Sequence, residues 1–179
     1  MTIASERRLA HERAVTGSDN SADVCHNAWP YPMTILRNIL ALIVGFVAGS
    51  VVNMALVTIG PRMIPAPAGV DVSNAESIAA SIHLFEPKHF VFPFLAHALG
   101  TFAGALVAFL IAASHRTVFA FVVGVLFLAG GIAASFMIPA PPWFIALDLV
   151  AAYLPMAWLA TRVGHRMTGT PPAPPSSRR

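Results

Sequence analysis

The sequence predicts an all-α fold: an integral membrane four-helix bundle with one partly helical extracytoplasmic loop. Three observations predict it. Of the 179 residues, 56% are hydrophobic and only 11% charged, where a soluble domain carries about 25% charged residues. Four apolar runs, at 39–59, 90–113, 117–137 and 143–161, each approach the roughly 20 helical residues that cross a hydrocarbon core about 30 Å thick. None alternates polar and apolar residues with period two, as the strands of a membrane barrel do. In lipid, the other way to satisfy every backbone group is a helix.

Residues 1–32 have no apolar period and hold four acids and three arginines. They read as a disordered extension. Met33 then opens Met-Thr-Ile-Leu-Arg-Asn-Ile-Leu, the pattern of an amino-terminal membrane helix, so Met33 is a candidate translation start. Ala66-Pro67-Ala68 has the form of a signal-peptidase site. The preceding apolar run is longer than the 7–15 residues of a cleaved signal, which favours an uncleaved anchor.

The first span carries Gly45, Gly49 and Asn53 at four-residue spacing, and the second carries Ala96, Gly100, Gly104 and Ala108. Small residues let helices approach closely in lipid, so these faces are expected to pack on one another or on a second copy. Between the two spans lies the long loop, 60–89. Ser73-Asn74-Ala75-Glu76 reads as a capping box with Ser73 at the N-cap, opening a short helix over 74–84. Its apolar positions Ile78, Ile82 and Phe85 face the bundle or the membrane. Pro87 suits the first turn of the second span.

The third span contains Gly124, Gly130, Gly131 and Ser135, another close-packing face. The fourth begins at Trp143 and carries Asp148, Tyr153 and Pro155. Pro155 is expected to kink it. The tail, 167–179, is rich in proline and serine and reads as disordered. Met63-Ile64-Pro65-Ala66-Pro67 recurs as Met137-Ile138-Pro139-Ala140-Pro141, which fits either a 2+2 duplication or chance.

Basic residues give the orientation. Arg7, Arg8, Arg13, Arg37, Arg116, Arg162, Arg166, Arg178 and Arg179 fall on one side, and Arg62 and Lys88 on the other. The positive-inside rule puts both termini in the cytoplasm of a cell (inner) membrane. The same clustering at helix ends argues against nucleic acid, despite a net charge of +3. A single cysteine, Cys25, rules out an internal disulfide and a cysteine-based zinc site.

With that orientation, Asn53, His97 and Asp148 lie at similar depth, about 8–11 Å below the outer boundary at 1.5 Å per residue. A carboxylate at the centre of a membrane helix costs about 2.5–3.5 kcal/mol on insertion scales. Asp148 therefore needs a partner: His97 first, otherwise Asn53, Tyr153 or a backbone amide. His83, Glu86 and His89 sit above this cluster as weak metal candidates, although their spacing matches no standard metal motif. No catalytic motif and no cofactor signature is present, and the reading leans away from an enzyme.

The core from Met33 to Arg166 resembles a group of small four-helix bacterial membrane proteins of unassigned function. The residues that carry the likeness are GFVAGSVVNM at 45–54, ESIAASIHLFEPKHFVFPFLAHALGT at 76–101 and PAPPWFIALDLVAAYLPMAW at 139–158. The resemblance implies a multi-pass membrane protein and no particular activity. Two functions stay open. One is a structural or accessory component, working through its glycine faces with the bilayer, a homo-oligomer or a membrane-protein partner. The other is an oligomeric transporter of a small solute, protons or a divalent metal.

The orientation is directly testable. In a Cys25→Ser background, a cysteine replacing Glu76 is expected to react with a membrane-impermeant maleimide on intact cells. One replacing His115 should react only after the membrane is broken, and the reverse pattern would invert the topology.

Overall fold

The computed structural model describes residues 31–138 and 140–169. The chain divides into two compact units, residues 1–36 and 37–179. Of the first, only the opening turns of a helix, 31–36, are described. Everything below concerns the second.

The described residues form six α-helices: α1 (Tyr31–Met63), α2 (Ala75–Ser81), α3 (Val91–Ile111), α4 (Arg116–Met137), α5 (Pro142–Ala151) and α6 (Leu154–Thr168). With their flanking turns they make four helical spans long and apolar enough to cross a membrane, Pro32–Met63, Pro87–Ile111, Arg116–Met137 and Pro142–Thr168. Outward faces carry exposed Ile43, Val47, Val51, Val125, Leu126 and Val150, residues that a protein bathed in water keeps inside. The protein is an all-α four-helix bundle.

The helices outrun the apolar stretches at both ends of the chain. α1 begins at Tyr31, inside the segment read as disordered, and continues through Pro61 to Met63, past the expected end at 59. α6 runs to Thr168 rather than 161. Apolarity marks what lipid covers, whereas a helix continues until its backbone is capped. For α6 the stop is Gly169, whose left-handed φ of 64° is a common way to end a helix. Arg166 and His165 in its last turn complement the carbonyl end of the helix. The remainder of both terminal segments lies outside the described residues.

The loop helix is also capped differently from the sequence reading. Asn74, not Ser73, is the N-cap of α2: its Oδ1 accepts from the amides of Glu76 at 2.8 Å and Ser77 at 3.3 Å. Ser73 is already engaged, because its amide and its hydroxyl both donate to Asp71 Oδ1, at 2.9 and 2.6 Å. This Asx turn moves the cap one residue on. Those two bonds also hold the Asp71 carboxyl below its ordinary pKa. The α-helical part ends at Ser81, and a 3-10 turn, Ile82–Leu84, completes the segment. Pro87 opens a second 3-10 turn, Pro87–Phe90, that leads into α3.

α3 is the hub. Its small residues Ala98, Ala105 and Ala108 are buried with Val123 and Ala120 of α4 and with Ala157 and Ala160 of α6. Against α1 it packs backbone to backbone. A Cβ on Gly45 would lie 2.7 Å from the Gly104 carbonyl oxygen, and one on Gly49 would lie 2.6 Å from that of Gly100. A Cβ on Gly100 or Gly104 would meet α1 in turn, at 3.0 and 2.8 Å from the Gly49 and Gly45 oxygens. Against α6, the Phe109 ring lies directly over Gly164.

At the far end from the loop, α1 closes the turn between α3 and α4. Asn38 Oδ1 accepts from the Ala113 amide at 2.9 Å, and its Nδ2 donates to Ser114 Oγ at 2.9 Å. Arg37 Nε donates to the Ile111 carbonyl at 2.7 Å, and Arg116 Nε to that of Ala112 at 3.1 Å. Two guanidinium groups thus satisfy carbonyls that the end of α3 leaves free.

The α1–α3 contact predicts an asymmetry between glycines. Gly49→Val is expected to cost at least the 1–3 kcal/mol typical of overpacking, because a backbone oxygen has no rotamer to escape into. Gly130→Ala should leave the melting temperature of the purified protein unchanged, since nothing lies within 4 Å of a Cβ there.

Candidate functional site

The site is built by a break in the fourth span. In a continuous helix Pro155 has no N–H for the Ala151 carbonyl, and its ring collides with that carbonyl. The expected consequence was a kink. Instead α5 stops at Ala151, and α6 starts at Leu154 with Pro155 in its first turn, where a proline is tolerated. Tyr153 lies in the break with φ −116° and ψ −81°.

The break decides which side chains meet. Asp148 and Tyr153 are five residues apart, so an unbroken helix would set them about 140° apart around its axis. Across the break, Tyr153 Oη donates to Asp148 Oδ2 at 2.9 Å. From α3, His97 Nδ1 lies 2.9 Å from both Oδ1 and Oδ2 of Asp148. The His97 ring stacks beside the Tyr153 ring, 5.8 Å between centroids. Asp148 is 5% exposed and Tyr153 1%. Gly131 of α4 makes room for them, because a Cβ there would fall on the Tyr153 hydroxyl.

A carboxylate that already accepts the tyrosine hydroxyl offers only acceptors to the imidazole, so Nδ1 carries the proton in their bond. The other ring nitrogen, Nε2, has no hydrogen-bond partner among the described residues. The His97 side chain is 24% exposed, and it faces a cavity.

That cavity, about 780 Å³ in volume, opens at the loop end of the bundle. His97 and Asp148 line it together with Gly131 and Ser135 of α4, Leu149 of α5 and Met54 of α1. The loop segment contributes Ile78, Ile82 and Phe85, the apolar positions read from its helical spacing. Aromatic rings thicken the wall: Phe90, Phe92 and Phe144 line the cavity, and Phe90 packs on Phe144 at 4.8 Å and on Trp143 at 5.6 Å. Both copies of the Met-Ile-Pro-Ala-Pro echo begin at the last residue of a helix, Met63 and Met137. Ile64 with Ala66 and Ile138 with Ala140 line the same cavity.

Asn53 does not join the cluster. Its Cβ lies at the α1–α3 crossing, 3.0 Å from where a Gly100 Cβ would be, and it makes no hydrogen bond with His97 or Asp148 among the described residues. Equal depth placed it at the right level, but on the wrong face of α1. The loop residues His83, Glu86 and His89 do not converge on a metal: among the described residues no three His, Cys, Asp or Glu side chains gather. Glu86 pairs with Lys88 at 3.0 Å, and this hydrogen-bonded ammonium holds its carboxyl below the ordinary range. His89 Nδ1 accepts from the Glu86 amide at 2.9 Å. The sequence reading missed the break and the cavity. Their signal was the triple Asp148, Tyr153, Pro155, which is out of register for one continuous helix.

No family model matches the chain, and neither a curated protein nor a solved structure matches it.

Two substitutions test how the site is held. Tyr153→Phe removes one hydrogen bond to a carboxylate, worth about 1.5–3 kcal/mol in water-soluble proteins and about 0.6 kcal/mol on average in membranes. Gly131→Ala is expected to lower the melting temperature by pushing the Tyr153 ring off Asp148. In a Tyr153→Ala background, the same Gly131→Ala change should cost little.

Proposed function

We propose that this is a cell (inner) membrane protein with both termini in the cytoplasm, which holds a small solute in the loop-end cavity and exchanges a proton with it through His97 and Asp148. The observation that supports this reading best is the unpartnered Nε2 of His97 facing an apolar cavity of about 780 Å³. Ligand sites typically enclose about 300–1,000 Å³, mostly apolar with a few convergent polar groups. An ionisable pair inside a membrane protein is by default a functional site. A span broken beside that pair is the arrangement seen where membrane transporters bind substrates. Membership of the small four-helix bacterial membrane proteins that the chain resembles is part of the same proposal.

The structural or accessory reading rested on the glycine faces. Gly45, Gly49, Gly100 and Gly104 are spent on contacts inside this chain, which leaves them unable to recruit a partner. The open face of α4 around Gly130 keeps a homo-oligomer or a membrane-protein partner as the second reading.

The test is a thermal melt of the whole protein in detergent across pH 5–8, the range in which histidine changes charge, with and without divalent metals. The titratable groups facing the cavity are Arg62 of α1, His89 of the 3-10 turn, His97 of α3 and Asp148 of α5, with Tyr153 behind them. Wild type should show a pH-dependent melting temperature that His97→Ala and Asp148→Asn both abolish and His89→Gln retains. If both variants simply melt earlier, with no dependence on pH or metal in any form of the protein, the pair is structural and the reading fails.

A further inference from the structure

We infer that the cavity binds a quinone-class molecule: an apolar molecule whose flat ring head carries oxygens that appear as carbonyls or as hydroxyls. The inference rests on the proposed solute site and names its occupant. The starting point is the sense of the hydrogen bond left open at the floor. Because Nδ1 is committed to Asp148, all exchange passes through Nε2. When the imidazole is neutral, Nε2 accepts, and the matching head is a hydroxyl. When it is protonated, Nε2 donates, and the matching head is a carbonyl. A head that exists in both forms fits both states of the floor.

The walls narrow the class further. Phe85, Phe90, Phe92 and Phe144 line the cavity, and aromatic side chains stack on flat rings with their centroids about 4.5–7 Å apart. The remaining wall is aliphatic, with Met54, Val57 and Ile82, and suits an alkyl tail. A carboxylic acid with a chain would match the tail and one state of the floor. It has no flat ring for the phenylalanines and no carbonyl form free of charge. A cationic amine would seek Asp148, but both carboxylate oxygens are taken and the residue is 5% exposed.

The structure also supplies a reporter. Trp143 packs against Phe90 and Phe144, 5.6 and 5.9 Å between centroids, and both of these phenylalanines line the cavity. The full chain keeping only this tryptophan, with Trp29 and Trp158 replaced by phenylalanine, would be placed in nanodiscs of defined lipid. It would be titrated with decyl-benzoquinone, using lauric acid and decane as competitors. Quenching of Trp143 that saturates is expected, weakened roughly tenfold or more in His97→Gln, which matches the loss of one charged hydrogen bond. Decane should compete poorly. Ala134→Trp, which fills the cavity from α4, should abolish quenching while circular dichroism shows the helices intact.

If the quinone, lauric acid and decane bind alike, and alike to wild type and His97→Gln, the cavity is a general amphiphile site and the quinone assignment is overturned. If no probe saturates in any form of the protein and Ala134→Trp changes nothing, the solute-site reading fails with it.

Discussion

A carboxylate inside an apolar bundle has to be surrounded by donors, and the arrangement around Asp148 follows from that requirement. Its two oxygens receive the imidazole of α3 and the phenol from the break between α5 and α6. Neither donor reaches it without backbone irregularity. The tyrosine arrives because the helix stops for two residues, and it fits because α4 offers a glycine rather than a side chain. One charged group thus ties together three spans and accounts for a proline, a tyrosine and a glycine that otherwise look unrelated.

Close packing supplies the rigidity that such a site needs. Between α1 and α3 the contacts are backbone on backbone, and between α3, α4 and α6 they are made largely by alanines with single rings of Phe109 and Phe127. Short, stiff groups leave little room for rearrangement. The large side chains are spent elsewhere: on the lipid-facing surface and around the loop-end cavity, where four phenylalanines stand near the floor. The division between a tight lower bundle and a roomy aromatic mouth is what makes a solute site physically reasonable there.

Much of the helical framework was legible in the sequence, because apolar length is a strong signal and lipid leaves few alternatives. Helix ends were not, since they depend on caps: Gly169 carries α6 beyond its apolar run, and Asp71 diverts Ser73 so that Asn74 starts α2. Depth counting brought Asn53, His97 and Asp148 to one level but carries no information about azimuth, and Asn53 faces the α1–α3 seam. The tyrosine contact was hidden for a related reason. Helical periodicity separates residues 148 and 153, and only a rupture of that periodicity joins them. Arg37 was read as a topological charge, whereas its guanidinium terminates α3.

The closure of the α3–α4 turn by Arg37 and Asn38 bears on how the protein is made. These two residues leave the ribosome long before the turn at 112–115 does, and they carry the donors and acceptor that this turn lacks. The first helix therefore acts as a template already lying in the bilayer, on which the following hairpin is finished as it inserts. Biogenesis of the bundle is ordered by chain polarity, with the earliest segment holding the bonds that the later hairpin needs to settle.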